Sequence, residues 1–251
     1  MSWPARRRAG VRNRSAPVLT VASLRWVVRH RAWTPWYLIR YWRFAKLRLL
    51  HPHVITQGMV FLGKRVEIEV RPGYGRLVLG RWVHLGDGTS LRCHEGSLRI
   101  GDKTVFGRNI VVNAYLDISI GGSCIIADMV YVTDFDHVFA DVEVPIKDQG
   151  IAKLPVRVGD DVWLGTKATV VRGTSIGSGS VVAAHAVVTR NLPPFSVAAG
   201  VPARLLRDRR SGAAVAAETR AALADMAAKL QAVSAYTAGT ARPPELPPPA
   251  S

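Results

Sequence analysis

Aliphatic or aromatic residues recur every six positions over most of residues 77–191, and this period limits the fold more than any other feature of the chain. A period of six matches neither the 3.6 of a helix nor the 2 of an amphipathic strand. It therefore describes a longer unit of the form [LIV]-G-x-x-x-x that repeats along the chain. The in-phase positions are Leu79, Leu85, Leu91, Ile100, Phe106, Val112, Ile120, Ile126, Val132, Val158, Leu164, Val170, Ile176, Val182 and Val188.

Short strands joined by tight turns, three to a coil, place every sixth residue at an equivalent inward position. The inward aliphatic residues then stack into ladders, while glycine and small polar residues form the corners. About five coils, spaced roughly 4.8 Å apart, give a prism on the order of 25 Å long. We therefore predict an all-β core, a left-handed parallel β-helix, over residues 54–207. The alternative is a β-sandwich in which the spacing is accidental.

The six-residue phase slips at three places, where the chain is expected to leave the prism. Residues 92–97 and 113–117 are small corrections, whereas residues 134–155 form a long loop. A long loop that interrupts a regular solenoid is a common location for functional residues. His137 lies in this loop and is the only histidine of the central region outside the repeat phase.

The formal net charge of +16 is concentrated at the N-terminus. Residues 1–50 contain twelve Lys or Arg and no Asp or Glu, whereas the rest of the chain holds 22 basic against 18 acidic residues. We assign residues 1–53 as a basic, Trp- and Arg-rich helical arm, which Pro35 divides into two short helices. Arginines interrupt every apolar stretch of the arm, so no membrane-spanning helix is predicted.

Two interpretations of the arm remain open. Four tryptophans among arginines, within residues 18–50, are typical of a helix that lies on an anionic membrane surface. The alternative is that the aromatic residues pack on the open end of the prism or on a neighbouring subunit. Nucleic-acid binding is not expected, because the basic segment carries no recognisable binding motif. The tryptophans are Trp26, Trp33, Trp36 and Trp42.

The C-terminal region is expected to differ from the prism. Residues 208–237 are predicted to form a helix, whose apolar stripe contains Leu223, Met226 and Leu230. Residues 238–251 are rich in proline and are predicted to be disordered. The chain has only two cysteines and no CxxC spacing, which favours a reducing, cytoplasmic location over a disulfide framework.

Four segments of the chain resemble the hexapeptide-repeat acyltransferases, over residues 55–207. They are the hexapeptide rows, the loop VYVTDFDHVF, the run VRVGDDVWLG and the ending VVAAHAVVTRNLPPFSVAAGVPARLL. The nearest branch is that of the maltose and galactoside O-acetyltransferases and their polysaccharide-modifying relatives. The resemblance implies a homotrimer that binds acetyl-CoA or another acyl-CoA between neighbouring prisms and requires no metal. It also implies acyl transfer to a sugar hydroxyl of an oligosaccharide, polysaccharide precursor or glycolipid, by direct attack without an acyl-enzyme.

The resemblance also assigns the residues of the reaction. His137 stands where the family places its general base, and a neutral imidazole suits proton abstraction near pH 7. Asn113 either holds the acceptor or only caps a turn. One of the flanking carboxylates, Asp134 and Asp136, could orient the imidazole, but solvated loop carboxylates are the favoured interpretation. Phe135 replaces a second histidine found in many relatives, which leaves His137 as the sole candidate base and indicates a more apolar acceptor mouth.

For the donor, the resemblance places Trp163 beside the pantetheine arm or the thioester, where an indole can exclude water. It places Thr166 and Ala184 where backbone groups pair with the pantetheine amides. The residues that fall at the adenosine phosphates include cationic side chains suited to a polyanion. They are Thr189, Arg190, Arg204 and Arg207, with Lys167 as a further candidate.

Two other functions are compatible with a β-helix. A non-catalytic scaffold could use the prism as a spacer and the arm as a membrane tether, but it has no physical need for His137 and Trp163. A zinc hydratase needs three converging histidines, commonly including a pair five residues apart. The residue five positions beyond His137 is Val142, which argues against the hydratase.

Overall fold

A computed structural model describes residues 15–18 and 20–211 of the chain. The chain divides into two compact units, Met1–Asp208 and Arg209–Ser251. Almost all of the described residues belong to the first unit. Residues 212–237 of the predicted C-terminal helix, and all of the predicted disordered tail, lie outside the described residues.

Two helices form the N-terminal arm. Helix α1 spans Val21–Arg29, and Thr20 caps it through reciprocal hydrogen bonds with Ser23. Helix α2 spans Pro35–Leu50 and has its proline at the first helical position, where the missing N–H costs no hydrogen bond. The predicted division of the arm at Pro35 is confirmed. Neither helix is long and apolar enough to cross a membrane, nor is any other helix of the described residues.

Short parallel strands follow the arm in six coils of three strands each. They are β1 Ile55–Thr56, β2 Val60–Leu62, β3 Glu67–Val70, β4 Gly75–Leu79, β5 Val83–Leu85, β6 Ser90–Cys93, β7 Gly96–Ile100, β8 Val105–Phe106, β9 Val111–Ala114, β10 Asp117–Ile120, β11 Ile125–Ile126 and β12 Tyr131–Thr133. After a loop that contains β13 Phe135–His137 and β14 Ile151–Lys153, the coils resume. The remaining strands are β15 Val156–Val158, β16 Trp163–Leu164, β17 Thr169–Val170, β18 Ser175–Ile176, β19 Val181–Val182, β20 Val187–Val188, β21 Ser196–Ala199 and β22 Arg204–Asp208.

The strands stack into three sheets that form the sides of the solenoid. We call them sheet A (β1-β4-β7-β10-β15-β18), sheet B (β2-β5-β8-β11-β16-β19-β21-β22) and sheet C (β3-β6-β9-β12-β17-β20). All neighbours within them are parallel except β21 and β22, which are antiparallel. The predicted parallel β-helix is therefore confirmed. It has about six turns, one more than the six-residue rows indicated.

The core consists of the predicted ladders. Each of the fifteen in-phase positions of the sequence is buried, and their side chains form one hydrophobic cluster. The additional first coil escaped the sequence pattern because its inward positions include the polar Thr56, which is nevertheless fully buried. Leu62 and Ile68 continue the same six-residue spacing.

The glycine that follows an inward residue allows the coils to lie close together. At Gly86, a Cβ atom would overlap the backbone carbonyl of Gly107 in the next coil. The left-handed backbone of the corners falls elsewhere, often on residues other than glycine, such as Trp82 and Lys103. Glycine is thus needed here for close approach and not for positive φ.

The arm packs against the first two coils with one of its faces. The indole of Trp26 stacks on that of Trp82 with ring centroids 4.7 Å apart, and it lies 5.3 Å from the ring of Phe61. Phe44 and Leu47 of α2 are buried in the same hydrophobic cluster. This face of the arm therefore packs on the prism, with Phe44 and Leu47 in the core cluster and Trp26 over the outer side of sheet B, where Phe61 is in register with His84. The other three tryptophans of residues 18–50 are exposed: Trp33, Trp36 and Trp42.

Candidate active site

The loop between β12 and β15 carries His137 on a hairpin. Strands β13 and β14 pair antiparallel, and His137 lies opposite Ile151. The histidine side chain is exposed. A short 3-10 helix, Ile146–Asp148, lies between the two strands, and Gln149 donates hydrogen bonds to the carbonyls of Asp141 and Val144, each at 2.7 Å. The loop is thus an ordered structure that presents an imidazole to solvent.

Asp134 anchors this hairpin to the coil beneath it. Its carboxylate accepts hydrogen bonds from the backbone N–H groups of Tyr115, Leu116 and Asp117 at 2.7–2.8 Å. The side chain is fully buried, so the interpretation of Asp134 as a solvated carboxylate is wrong. Three N–H donors at one corner compensate the loss of hydration, which the sequence did not reveal because they belong to the preceding coil.

Asp136 has a different role. Its carboxylate accepts a hydrogen bond from Nε of Arg172 at 2.6 Å, in an ion pair that joins the hairpin to the next coil. In the described part of the chain, no hydrogen bond joins Asp134 or Asp136 to His137. The two carboxylates therefore hold the hairpin on both sides of the histidine and do not orient the imidazole directly.

Asn113 lies in β9, in register with Thr133, the last residue before the loop. Its position within a strand rules out the turn-capping interpretation. The amide oxygen is buried and has no hydrogen-bond partner among the residues that the structure describes. An unsatisfied buried acceptor is costly, so Asn113 retains the capacity to receive a donor from a bound molecule.

Aromatic rings lie next to one another at the corner where the chain passes from sheet C to sheet A, with His94 and Tyr115 stacked and the other contacts edge-to-face. The ring centroids of His94 and Tyr115 are 4.6 Å apart, those of Tyr115 and Phe135 are 4.4 Å apart, and those of Phe135 and His137 are 6.3 Å apart. We call these four residues the aromatic column. Sequence reasoning missed it, although the phase slips at 92–97 and 113–117 mark the same corner in successive coils.

An ion pair borders the aromatic column. Lys153 of β14 donates a hydrogen bond to Glu95 at 2.5 Å, and its ammonium lies 5.4 Å from the ring centroid of Tyr115. The bond to Lys153, together with the charge of that residue, lowers the pKa of Glu95. The pair adds a second contact between the hairpin and the coils below.

Most of the predicted donor residues lie on a different side of the solenoid. Trp163 is in β16 of sheet B, and its indole is 51% exposed because its neighbour Leu164 points inward. Thr166 and Ala184 occupy the adjacent corner between sheets B and C in successive coils, where the N–H of His185 donates to the carbonyl of Thr166 at 2.9 Å. Arg204 and Arg207 are in β22, at the end of sheet B.

Thr189 and Arg190 do not join this group. They follow β20, at the corner between sheets C and A. This is the corner that carries His137 in an earlier coil. Within one chain, His137 and Trp163 therefore lie on different sides of the solenoid. The hairpin leaves the corner between sheets C and A, whereas the indole lies on sheet B.

Comparison with known proteins identifies the family. The model of the bacterial transferase hexapeptide (six repeats) matches residues 155–190. The chain is 54% identical over 220 residues to the "Probable acetyltransferase Rv3034c" of Mycobacterium tuberculosis (strain ATCC 25618 / H37Rv), which covers 86% of this chain and 73% of that protein. The chain belongs to the hexapeptide-repeat acetyltransferase family.

Two further relatives extend the comparison. The galactoside O-acetyltransferase of Escherichia coli (strain K12) is 33% identical over 115 residues, which cover 43% of this chain and 55% of that enzyme. The crystal structure of AntD, an N-acyltransferase from Bacillus cereus in complex with dTDP and 3-hydroxybutyryl-CoA, superposes with a TM-score of 0.57 at 19% identity. That superposition covers 71% of this chain and 96% of AntD, and it shows the shared fold.

The chemistry available to this hexapeptide-repeat acetyltransferase follows from its exposed groups. His137 offers an exposed imidazole and Trp163 an exposed indole, whereas the amide oxygen of Asn113 is buried and lacks a partner among the described residues. Among the described residues, no group of three or more His, Cys, Asp or Glu side chains is placed to hold a metal ion. The exposed imidazole is placed for proton transfer, whereas the indole lies on another side of the same solenoid.

Proposed function

We propose that the protein transfers an acetyl group from acetyl-CoA, or another acyl group from its CoA thioester, to a hydroxyl of a carbohydrate acceptor. The observation that carries the proposal is the exposed imidazole of His137, held on an anchored hairpin in a member of an acetyltransferase family. The carbohydrate class is supported by the galactoside O-acetyltransferase among the relatives. An oligosaccharide, a polysaccharide precursor and a glycolipid all present such a hydroxyl.

His137 acts as the general base in this proposal. Its neutral imidazole takes the proton of the acceptor hydroxyl while the oxygen attacks the thioester carbonyl. The C–S bond then breaks, the CoA sulfur leaves, and the imidazolium returns the proton to it. Asp134 and Asp136 position the hairpin from below and above. Asn113 is suited to accept a hydrogen bond from the acceptor, and the aromatic column offers ring faces to its apolar side.

The donor surface is sheet B and its corner with sheet C. Trp163 covers the pantetheine arm and excludes water from the thioester. The corner backbone at Thr166 and Ala184 pairs with the pantetheine amides. Arg204 and Arg207 supply cationic donors for the phosphates. Thr189 and Arg190 lie at the other corner, so they would serve the same CoA only from a different copy of the chain.

In a homotrimer, the base of one subunit can meet the donor surface of its neighbour. A closed ring of copies brings the hairpin of one subunit against sheet B of the next, so each interface holds one complete site. A stripe of exposed apolar residues on sheet B supports this contact. Val105, Ile125 and Trp163 are in register across three neighbouring strands, and all three are exposed. We place the reaction in the cytoplasm, since Cys93 and Cys124 are buried free thiols that suit a reducing compartment.

The test is release of free CoA, measured with a thiol reagent, when the purified full chain is incubated with acetyl-CoA and a panel of sugars. We expect one acceptor class to stimulate release at least tenfold, and His137→Ala to abolish that stimulation. His53→Ala, an exposed histidine of the arm region, is the matched control and should retain the parental rate. If His137→Ala releases CoA as fast as the parent with the stimulating sugar, the proposed base is wrong.

A further inference from the structure

The outer face of α2 carries several exposed apolar residues around Lys46, although the inner face already packs on the solenoid. Trp42 is 71% exposed and Leu49 is 79% exposed, and both lie on the side opposite the buried Phe44 and Leu47. A helix of a globular protein normally turns its polar side to water. The exposed apolar residues of this face are Leu38, Ile39, Trp42, Leu49 and Leu50.

Helix α1 repeats the arrangement. Val21, Leu24 and Val28 are spaced to share one helical face, and all three are exposed. Two arginines of this helix, Arg25 and Arg29, are exposed as well. Both helices of the arm therefore combine exposed aliphatic or aromatic side chains with cations, which is the composition of an interfacial helix.

The orientation of this surface is fixed. Trp26 stacks on Trp82, and Arg43 donates a hydrogen bond to the carbonyl of Leu62 at 3.3 Å. Arg48 donates to the carbonyl of Ala16 at 3.2 Å. Because these contacts hold the arm on the first two coils, the apolar side chains cannot turn inward without losing them.

A cationic cavity opens beside the C-terminal half of α2. Its volume is about 440 Å³, and it lies between the helix and the first coil. The floor is apolar, with Leu47, Leu62 and Ile68 among its residues, whereas Arg43, Lys46 and Arg65 contribute its charge. No ion pair in the described part of the chain involves these three cations. The first acidic residue of the sequence is Glu67, so nothing in the arm neutralises them.

We propose that the arm docks on an anionic phospholipid surface, with the outer face of α2 among the acyl chains and the cationic cavity receiving lipid phosphate groups. Exposed apolar side chains next to cations that form no ion pair among the described residues match a membrane interface, in which apolar and anionic layers adjoin. A nucleic acid would use the cations but would leave Trp42 and Leu49 in water. Docking would hold the catalytic prism at a membrane, independently of which acceptor it uses.

Vesicle co-flotation of the full chain tests the proposal. Vesicles of phosphatidylcholine alone are compared with vesicles that also contain phosphatidylglycerol. We expect binding to the anionic vesicles only, weakened as salt is raised. Trp42→Asp places a charge on the outer face and should abolish binding. Tyr74→Asp is the matched control on the solenoid, because Tyr74 is exposed to 62%, and it should bind as the parent does.

Charge is tested separately with variants of equal net charge. Lys46→Gln with Arg65→Gln should bind anionic vesicles about 30-fold more weakly, since each basic residue at an anionic surface changes the partition coefficient about fivefold. Lys103→Gln with Arg108→Gln removes two exposed charges of the solenoid and should have little effect.

Three results would overturn the proposal. The first is equal binding to neutral and anionic vesicles, and the second is no binding to either. The third is a Trp42→Asp variant that binds vesicles as the parent does but no longer self-associates in light scattering. The last would show that a second copy covers the outer face of α2. None of these results depends on acetyl transfer, so the proposed reaction and the proposed docking fail independently.

Discussion

Asp134 accepts a hydrogen bond from the backbone N–H of Tyr115 at 2.8 Å, across one turn of the solenoid. The same carboxylate receives the N–H groups of Leu116 and Asp117, and the carbonyl of Asp134 receives the N–H of Leu154 at 2.9 Å. One buried residue thus joins both ends of the loop to the coil below. The position of His137 depends on this anchor, although the two side chains do not bond to each other.

Asp134→Ala should destabilise the protein and reduce acetyl transfer. The substitution leaves three backbone N–H groups without their acceptor, and each buried unsatisfied donor costs about 1–3 kcal/mol. We expect the free energy of unfolding, measured by urea titration, to fall by about 3 kcal/mol or more, together with faster proteolysis within residues 134–155. Asp141→Ala, in the exposed part of the same loop, is the control and should cost under about 1 kcal/mol. Equal stability of the two variants would contradict the anchoring role.

The ion pair between Asp136 and Arg172 should matter for the reaction more than for stability. Both side chains are partly exposed, and such pairs contribute only about 0.2–1 kcal/mol to folding. Asp136→Asn is expected to lower kcat severalfold by loosening the hairpin, while KM for acetyl-CoA stays near the parental value. The reversed pair, Asp136→Arg with Arg172→Asp, should recover part of the lost rate. If the reversed pair is no faster than either single variant, the pair does not position the histidine.

The coils could be predicted from the sequence because their inward positions recur at a fixed spacing. Each inward residue of the rows meets its equivalent in the next coil, so a six-residue spacing is enough to identify the core. The first coil was missed where Thr56 and the strand with Glu67 and Glu69 hide the period behind polar side chains. A ladder tolerates a hydroxyl at its end, and composition alone does not show this.

The candidate site was predictable only as far as its side chains belong to recognisable segments. His137 and Trp163 stand out in the sequence, but Asp134 was misjudged because its hydrogen-bond partners are backbone groups about 18 residues earlier. His94 and Tyr115 join the aromatic column only because successive corners stack. Such contacts depend on the register of the coils, which a list of residue types does not contain.

His84 should make stability depend on pH below neutrality. Burial under the arm, with the charge of Arg40 as the smaller cause, lowers the pKa of His84 to about 4 from its ordinary 6.5. The imidazole lies 4.4 Å from the ring of Phe61, measured between centroids. Between pH 6.5 and about 4 the unfolded chain binds a proton that the folded chain does not, so the free energy of unfolding falls as the pH is lowered through this window.

Urea titrations of the parent and of His84→Gln at a series of pH values measure this contribution. The glutamine variant should lose less stability than the parent between pH 6.5 and 4, and the difference between the two curves should level off above pH 7. Carboxylates common to both proteins cancel in that difference. Parallel curves over the whole range would show that His84 does not take up its proton preferentially in the unfolded state.

The placement of His137 and Trp163 on different sides of one solenoid predicts complementation between inactive variants. His137→Ala removes the base, and Trp163→Ala removes the cover of the thioester, so each homogeneous protein should be nearly inactive. When the two variants are co-expressed and assemble at random, an interface is complete if its histidine comes from a Trp163→Ala subunit and its indole from a His137→Ala subunit. Each condition holds for half of the interfaces, so about a quarter of the parental rate should return.

The control is a mixture of the two variants purified separately and combined without subunit exchange, which should stay inactive. Light scattering of the co-expressed protein checks that it has the same mass as the parent. A site contained within one chain would give no recovery in either preparation, because no subunit would carry both side chains. Recovery on co-expression alone therefore identifies the interface between copies as the place where the base of one chain meets the donor surface of the next.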